Sequence, residues 1–453
     1  MVIQVLSRSS RLIAFGFLLL CGCTTHTAAP EPLAPENRAG EPLADARPLG
    51  SEQPNSVEHT EPTGPLALKD ILALVLTRNK ELSAFAWETR AAEAAILQAG
   101  MLPNPVLTVE LEDAFGTDEF SGTKQSQTTI QINELIELGG KRAARMEVAS
   151  RTKDLSNSEY EKARLKVLSE ASDKFHEVVA HQELIRLVNE AASLARSNQA
   201  AISRRVEAGS SSIVDEKRAN ITLAKTRIAA EHAEHELASA RKELASFWGS
   251  SSDEFAELQS NLFAVPALPR LETLESKLSS HPETEVWLND EKLRRAELAL
   301  AQSKAVPDIV LGAGVRHYEN SSDQALLFQL SVPLPLFDTN QGGVAEGLAR
   351  IEKSRADSLS FQSRLKAVLF GLYQSIQHKQ LELRILSNEI IPDAQAALRA
   401  AQEGFERGSF SHLELADAQN TFLESREAQI RVAVAYRHLM IELGRLTGET
   451  INE

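Results

Sequence analysis

Cysteine is all but missing from this chain: there are two, Cys21 and Cys23, both within the first 23 positions. From there onward no disulfide, thiolate metal site or cysteine nucleophile can form. The four methionines, Met1, Met101, Met146 and Met440, are scattered, so a thioether relay for copper(I) has no support. The chain contains no HExxH, no glycine-rich phosphate loop and no Gly-x-Ser-x-Gly. Without such a constellation it is expected not to be an enzyme and to need no cofactor. Excess positive charge is also lacking. The net charge is -15, and lysine and arginine are dispersed beside acidic residues, which excludes a polyphosphate partner such as nucleic acid. An acidic balance suits an ordinary solvated surface, and it also suits a cation-conducting lumen.

One apolar run stands out, at the N-terminus. Residues 1–23 read as a secretion signal, with Arg8 and Arg11 ahead of Leu12 to Leu20, a run too short to span a bilayer as a helix. It ends in Leu20-Cys21-Gly22-Cys23, which is similar to a bacterial lipobox. Processing there makes Cys23 the lipidated first residue of the mature chain, and Thr24 after it favours the outer membrane. A plain soluble signal peptide is the alternative. Residues 24–65 are rich in proline and have no apolar period, so they are expected to form a disordered tether.

Glycine and proline are absent between Lys141 and Ala208. As one helix that run reaches on the order of 100 Å at 1.5 Å per residue, more than a compact domain can hold. Further breaker-poor runs cover about 213–248, 344–408 with a kink expected at Pro392, and 413–446. Shorter helices are expected near 67–78, 81–100, 271–280 and 283–303. Alternating strands are expected at about 105–112, 127–135, 308–317 and 325–334, where Leu107, Val109 and Leu111 alternate with Thr108, Glu110 and Glu112, for example. The pattern occurs twice, at an offset of about two hundred residues, which divides the chain into a first unit over 66–265 and a second over 266–448. Glu207-Ala208-Gly209-Ser210-Ser211-Ser212 in the first matches Glu406-Arg407-Gly408-Ser409-Phe410-Ser411 in the second. Four strands cannot close a barrel, and an open edge in hydrocarbon leaves backbone groups without partners, so further copies must complete it.

These features together resemble the TolC family of outer-membrane efflux channels across almost all of residues 65 to 448. Leu102-Pro103-Asn104-Pro105, Glu137-Leu138-Gly139-Gly140-Lys141-Arg142 and Pro333-Leu334-Pro335-Leu336-Phe337-Asp338-Thr339-Asn340-Gln341-Gly342 look like the CzcC-type branch, which serves cobalt, zinc, cadmium or related cation efflux. The resemblance implies a mainly α protein with membrane β-structure. Each subunit of a homotrimer would give four strands to a twelve-stranded outer-membrane barrel, continued by a long periplasmic α-helical barrel. It further implies a periplasmic adaptor and an inner-membrane resistance-nodulation-division pump as partners, with outer-membrane lipid around the strands.

By position, the turns Gly209-Ser210 and Gly408-Ser409 match the family's periplasmic tips. Asp215, Glu414 and Asp417 fall on its acidic gate positions, with Glu414 where aspartate is familiar elsewhere in the family. Threefold symmetry would gather each into a cation-selecting ring. The other reading is that acidic residues after a serine cap complement a helix N-terminus. Arg205 and Arg407, just before the turns, are candidate partners for a closed-state lock. Two competing functions remain: an exit duct for drugs or other organic cargo, and a periplasmic metal-binding coiled coil in which His232 and His235, near His176 and His181, hold a cation.

Overall fold

The stretch without glycine or proline that begins at Lys141 forms a single helix of 67 residues. The structure, a computed structural model, describes residues 64–252, 254–278 and 281–448. The expected leader, Cys23 and all but the last two residues of the tether lie outside the described residues. The elements are α1 (Leu68–Arg78), α2 (Lys80–Ala99), β1 (Val106–Glu112), β2 (Gln127–Ile136), α3 (Lys141–Glu207), α4 (Ile213–Ser246), α5 (Leu271–Lys277), α6 (Pro282–Ser303), β3 (Ile309–Tyr318), β4 (Gln324–Ser331), α7 (Gln341–Ile385), α8 (Ile391–Arg407) and α9 (His412–Thr447).

The strands form one antiparallel sheet in the order β1-β2-β3-β4, so β1 and β4 are open edges. Its register sets Val109, Ile130, Val315 and Leu326 in one row, and Leu107, Ile132, Ala313 and Phe328 in another. The large members of these rows are exposed, Phe328 to 82%. Water would penalise such a face heavily, whereas lipid would not. The opposite face is polar. Asn133 Nδ2 donates to Thr108 Oγ1 at 3.1 Å, and Gln131 Nε2 donates to Asn133 Oδ1 at 2.7 Å and to Gln329 Oε1 at 2.6 Å. This belt crosses β3 over Gly312 and Gly314, where a Cβ would strike Gln131. Near the loop end of the sheet, Arg316 pairs with Glu112 at 3.0 Å and donates to Thr129 Oγ1 and Gln127 Oε1.

β4 stops at Ser331, short of the expected 334, since Pro333 and Pro335 have no N–H to donate to a ladder. The expected kink at Pro392 appears as a π-turn over Leu386–Ile390, just upstream, in which the Ile391 N–H bonds to the Leu386 carbonyl. Pro392 cannot supply the next α-type donor, and widening the preceding turn accommodates the loss.

The helices follow the strand order, with α2 packed on α3, α3 on α6 and α6 on α7. Beyond them α4 packs on α3, α3 on α9, and α9 on α7 and α8. α4 approaches α3 through Ala219, Ala233 and Ala240, all buried, whereas Ile221 and Ile228 on its other side are exposed. On α7 the exposed apolar residues Leu348, Leu359, Phe370 and Leu381 recur at an eleven-residue interval. The sheet therefore ends in unpaired backbone at β1 and β4, while the helical wall leaves exposed apolar residues on α4 and α7. No helix among the described residues is long and apolar enough to cross a membrane.

The core is divided. One cluster gathers α1, the middle of α3 and the end of α4 around Phe175, Val167 and Leu244. A second joins α5, α7 and α9 around Leu369, Ile376 and Tyr436. A third, built on Ile202, Phe405 and Leu415, lies at the end of the wall away from the sheet.

Candidate functional site

Two turns form that end. α3 stops at Glu207 and α8 at Arg407, each followed by a glycine with positive φ, +71° at Gly209 and +78° at Gly408. Only glycine adopts this conformation without strain, and it lets the next amide reach back over the helix end. Ser210 N–H bonds to the Arg205 carbonyl, and Ser409 N–H to the Gly404 carbonyl, each at 2.8 Å.

The outgoing helices start with matching caps. Ser212 Oγ accepts from Val214 N–H at 3.1 Å, and Asp215 Oδ2 accepts from Ser212 N–H at 3.3 Å. Ser411 Oγ accepts from Glu414 N–H at 3.3 Å, and Glu414 Oε2 accepts from the Ser411 N–H and hydroxyl at 2.7 and 2.9 Å. Those two bonds hold the Glu414 carboxyl below the usual carboxylate range. Asp215 and Glu414 thus act as capping-box acids, with their charge at the positive end of a helix. Asp417 is exposed one turn further along α9.

Phe405 joins the two turns. It is buried, with the Arg205 guanidinium 4.4 Å above its ring centroid and the His412 ring edge-on at 6.5 Å. Arg205 Nη2 also donates to the Glu406 carbonyl at 3.4 Å, so this arginine of the first repeat grips the second through an aromatic face and a backbone oxygen. Arg407 remains on its own helix, 3.5 Å from Glu403. The expected arginines and acids do not meet as ion pairs within one copy. A groove of about 500 Å³ runs between α3 and α8, lined by Ser197, Asn198, Arg204, Gln402 and Glu406 among others.

Sequence reading missed Phe405 and His412. Their signal was faint: an aromatic three residues before the second glycine, and a histidine immediately after its serine cap. His412 Nδ1 is buried without a hydrogen bond, facing Asp215 and Arg218 on α4, and burial pushes its pKa down. His281 behaves likewise at the start of α6, where its Nδ1 accepts from Glu283 N–H at 3.1 Å and burial lowers its pKa. For both, the unfolded chain takes up a proton as pH falls through about 6.5 while the native state resists it, so stability falls below that pH. The thermal midpoint is therefore expected to drop between about pH 7.5 and 5.5, and less so in His281→Asn/His412→Asn, where asparagine at 281 keeps the cap. An identical drop in both proteins would refute this assignment.

His232 and His235 do not converge. His235 faces Glu231 at 3.6 Å, whereas His232 lies 3.5 Å from Glu236, which in turn lies 3.7 Å from His181 on α3. Among the described residues no group of three or more histidine, cysteine or acidic side chains is arranged to hold a metal ion.

A duplicated helix–strand–strand–helix unit, with a half-apolar open sheet and a helical wall ending in capped turns, defines a subunit of an outer-membrane channel. The chain belongs to the outer membrane efflux protein family, which matches residues 71–250 and 278–449. It is 32% identical over 367 residues to the cobalt-zinc-cadmium resistance protein CzcC of Cupriavidus metallidurans, covering 81% of this chain and 86% of that one. The nickel and cobalt resistance protein CnrC of the same organism is 25% identical, covering 67% of this chain and 71% of its own. The fold matches the crystal structure of CusC with a TM-score of 0.72 at 16% identity, covering 84% of this chain and 92% of that one. Members of this family are channel proteins rather than enzymes.

Proposed function

We propose that three copies close into a passive exit duct for divalent heavy-metal cations of the cobalt, zinc, cadmium and nickel class. The observation that carries the cargo is the extended similarity to a cobalt-zinc-cadmium resistance protein over most of both chains. The duct does no chemistry; an inner-membrane resistance-nodulation-division pump supplies the energy and a periplasmic adaptor joins the two. The sheet lies in the outer membrane with its apolar face toward lipid, and an acyl chain on Cys23 adds an anchor. At the periplasmic tip, copies of Asp215, Glu414 and Asp417 form acidic rings whose field favours cations. Arg205 and Arg407 stand beside these rings, and Arg205 links the two turns of a copy through the Phe405 ring and the Glu406 carbonyl.

Deleting the gene in its source bacterium is expected to cause hypersensitivity to zinc, cobalt, nickel or cadmium that the wild-type gene reverses. Sensitivity confined to organic toxins would replace this cargo with drugs. The rings are tested separately with Glu414→Gln/Asp417→Asn. Glutamine still reaches back to the cap, so the helix start survives while the charge is lost. In planar bilayers the preference for cations over anions should fall by a few-fold. Unchanged selectivity would leave Glu414 as a cap alone.

A further inference from the structure

The two raw edges of the sheet can be matched residue by residue, because the chain contains its own template for the seam. In the middle of the sheet the last strand of the first repeat, β2, pairs with the first strand of the second, β3, setting Ile132 opposite Ala313 and Gln131 opposite Gly314. Beneath that pair the corner leading into α3 packs on the corner leading into β3. Leu138 N–H donates to Asp308 Oδ1 at 2.9 Å, Lys141 Nζ lies 2.7 Å from the same carboxylate, and a Cβ on Gly139 would fall 2.7 Å from Val306 Cβ. Where two copies meet, the last strand of a second repeat, β4, adjoins the first strand of a first repeat, β1. In repeat terms this is the same junction.

The equivalences follow from the hairpins. Pro103-Asn104 takes the place of Pro307-Asp308, which makes Val109 the counterpart of Ala313. Val109 pairs with Ile130, and Ala313 with Phe328, so Ile130 and Phe328 are counterparts, as are Ile132 and Leu330. Transferring the central register to the seam gives one answer. We propose that β4 of one copy pairs antiparallel with β1 of the next, with Leu330 opposite Val109 and Gln329 opposite Glu110.

Three observations not used in the transfer agree with it. Leu330 and Val109 both belong to the apolar face, and Gln329 and Glu110 both to the polar face; a slip of one residue would set apolar against polar along the whole seam. Gln329 Oε1 already accepts from Gln131, which leaves its amide nitrogen to donate, and Glu110 of the next copy offers a carboxylate. The transfer also brings the corner after β4, which carries Phe337, toward Leu102 of the next copy, the counterpart of Val306. Phe337 is 91% and Leu102 63% exposed in a single copy, a state that the contact relieves. The polar belt of Thr108, Asn133, Gln131 and Gln329 then continues from copy to copy around the lumen.

This inference rests on the ring reading above, and the experiment separates the two. Full-length Val109→Cys/Leu330→Cys is produced in the outer membrane beside Val109→Cys/Phe328→Cys, Val109→Cys/Val332→Cys and the single variants, then oxidised mildly and run on a non-reducing gel. Directly opposite residues have Cβ atoms about 4.5–5.5 Å apart, against about 7–8 Å for diagonal ones, and a disulfide needs close to the former. The expected result is a covalent ladder from the 109/330 pair at least tenfold stronger than from either comparator. A ladder led by a comparator would overturn the register and leave the ring intact. So would the absence of any ladder from protein that still runs as an oligomer on a native gel. Protein that runs as a single copy would overturn the ring itself.

Discussion

Gly314→Val is expected to abolish the assembled channel. The position lies in β3 opposite Gln131, and a Cβ there would sit 2.5 Å from the Ile130 carbonyl oxygen and 2.9 Å from the Gln131 Cα. Both obstacles are backbone, so no rotamer change relieves them; β2 and β3 must part. Each backbone group left without a partner in hydrocarbon costs several kcal/mol, which no remaining contact in a four-stranded sheet can offset. The variant should yield no detergent-stable oligomer, and metal tolerance should fall to the level of the deletion strain. Gly312→Val makes a useful contrast. The first atoms its Cβ would meet are the ends of the Gln131 and Asn133 side chains, which can turn aside, so a weakened but present channel is expected. Equal amounts of oligomer from Gly314→Val and the parent would refute the close packing of β2 against β3.

Phe405→Ala should leave the sheet and the assembly intact and loosen the far end of the tunnel. Truncating a buried phenylalanine costs about 3–5 kcal/mol. Here the loss falls on the small tip cluster with Ile202 and Leu415, separate from the two clusters nearer the sheet. Arg205 also loses the ring it covers, and His412 its edge contact. The expected outcome is a higher single-channel conductance, faster proteolysis at the two turns, and entry of large hydrophilic antibiotics that the outer membrane excludes. Conductance and proteolysis equal to the parent would show that Phe405 does not hold the turns together. Arg205→Lys should have a milder effect in the same direction, since lysine keeps the charge without the planar stacking.

Much of this architecture could be read directly from the residue pattern. Strands of period two, such as Val109 to Glu112 and Ile130 to Asn133, and helices free of glycine and proline, such as α3, depend on local rules that tertiary contacts here do not override. Where reading and structure part, the cause is an interaction between segments far apart in sequence. β4 ends early because Pro333 lacks a donor and the edge has no second neighbour within one copy. The irregularity expected at Pro392 moves upstream because the helix absorbs the missing bond in the turn before it. At the tip, the family resemblance pointed to acids and arginines and invited ion pairs, but which way Arg205 turns depends on Phe405 being buried beside it. The i, i+3 spacing of His232 and His235 hinted at convergence, yet each lies beside a glutamate of its own helix, and among the described residues no group arranged to hold a metal forms. That Ala219, Ala233 and Ala240, fourteen and seven residues apart, are the alanines buried against α3 is not visible in composition, which does not say which of them face it.

The pairing of Arg316 with Glu112 bears on how cargo leaves. With that carboxylate cancelled, each copy's inner strand surface retains one surplus negative charge, at Glu110, whose reach at physiological salt is about 8 Å. On the proposed reading, a cation moving along that strand face meets a shallow dip there and no deep trap. On that reading the strand face does not set throughput, which is governed by delivery from upstream.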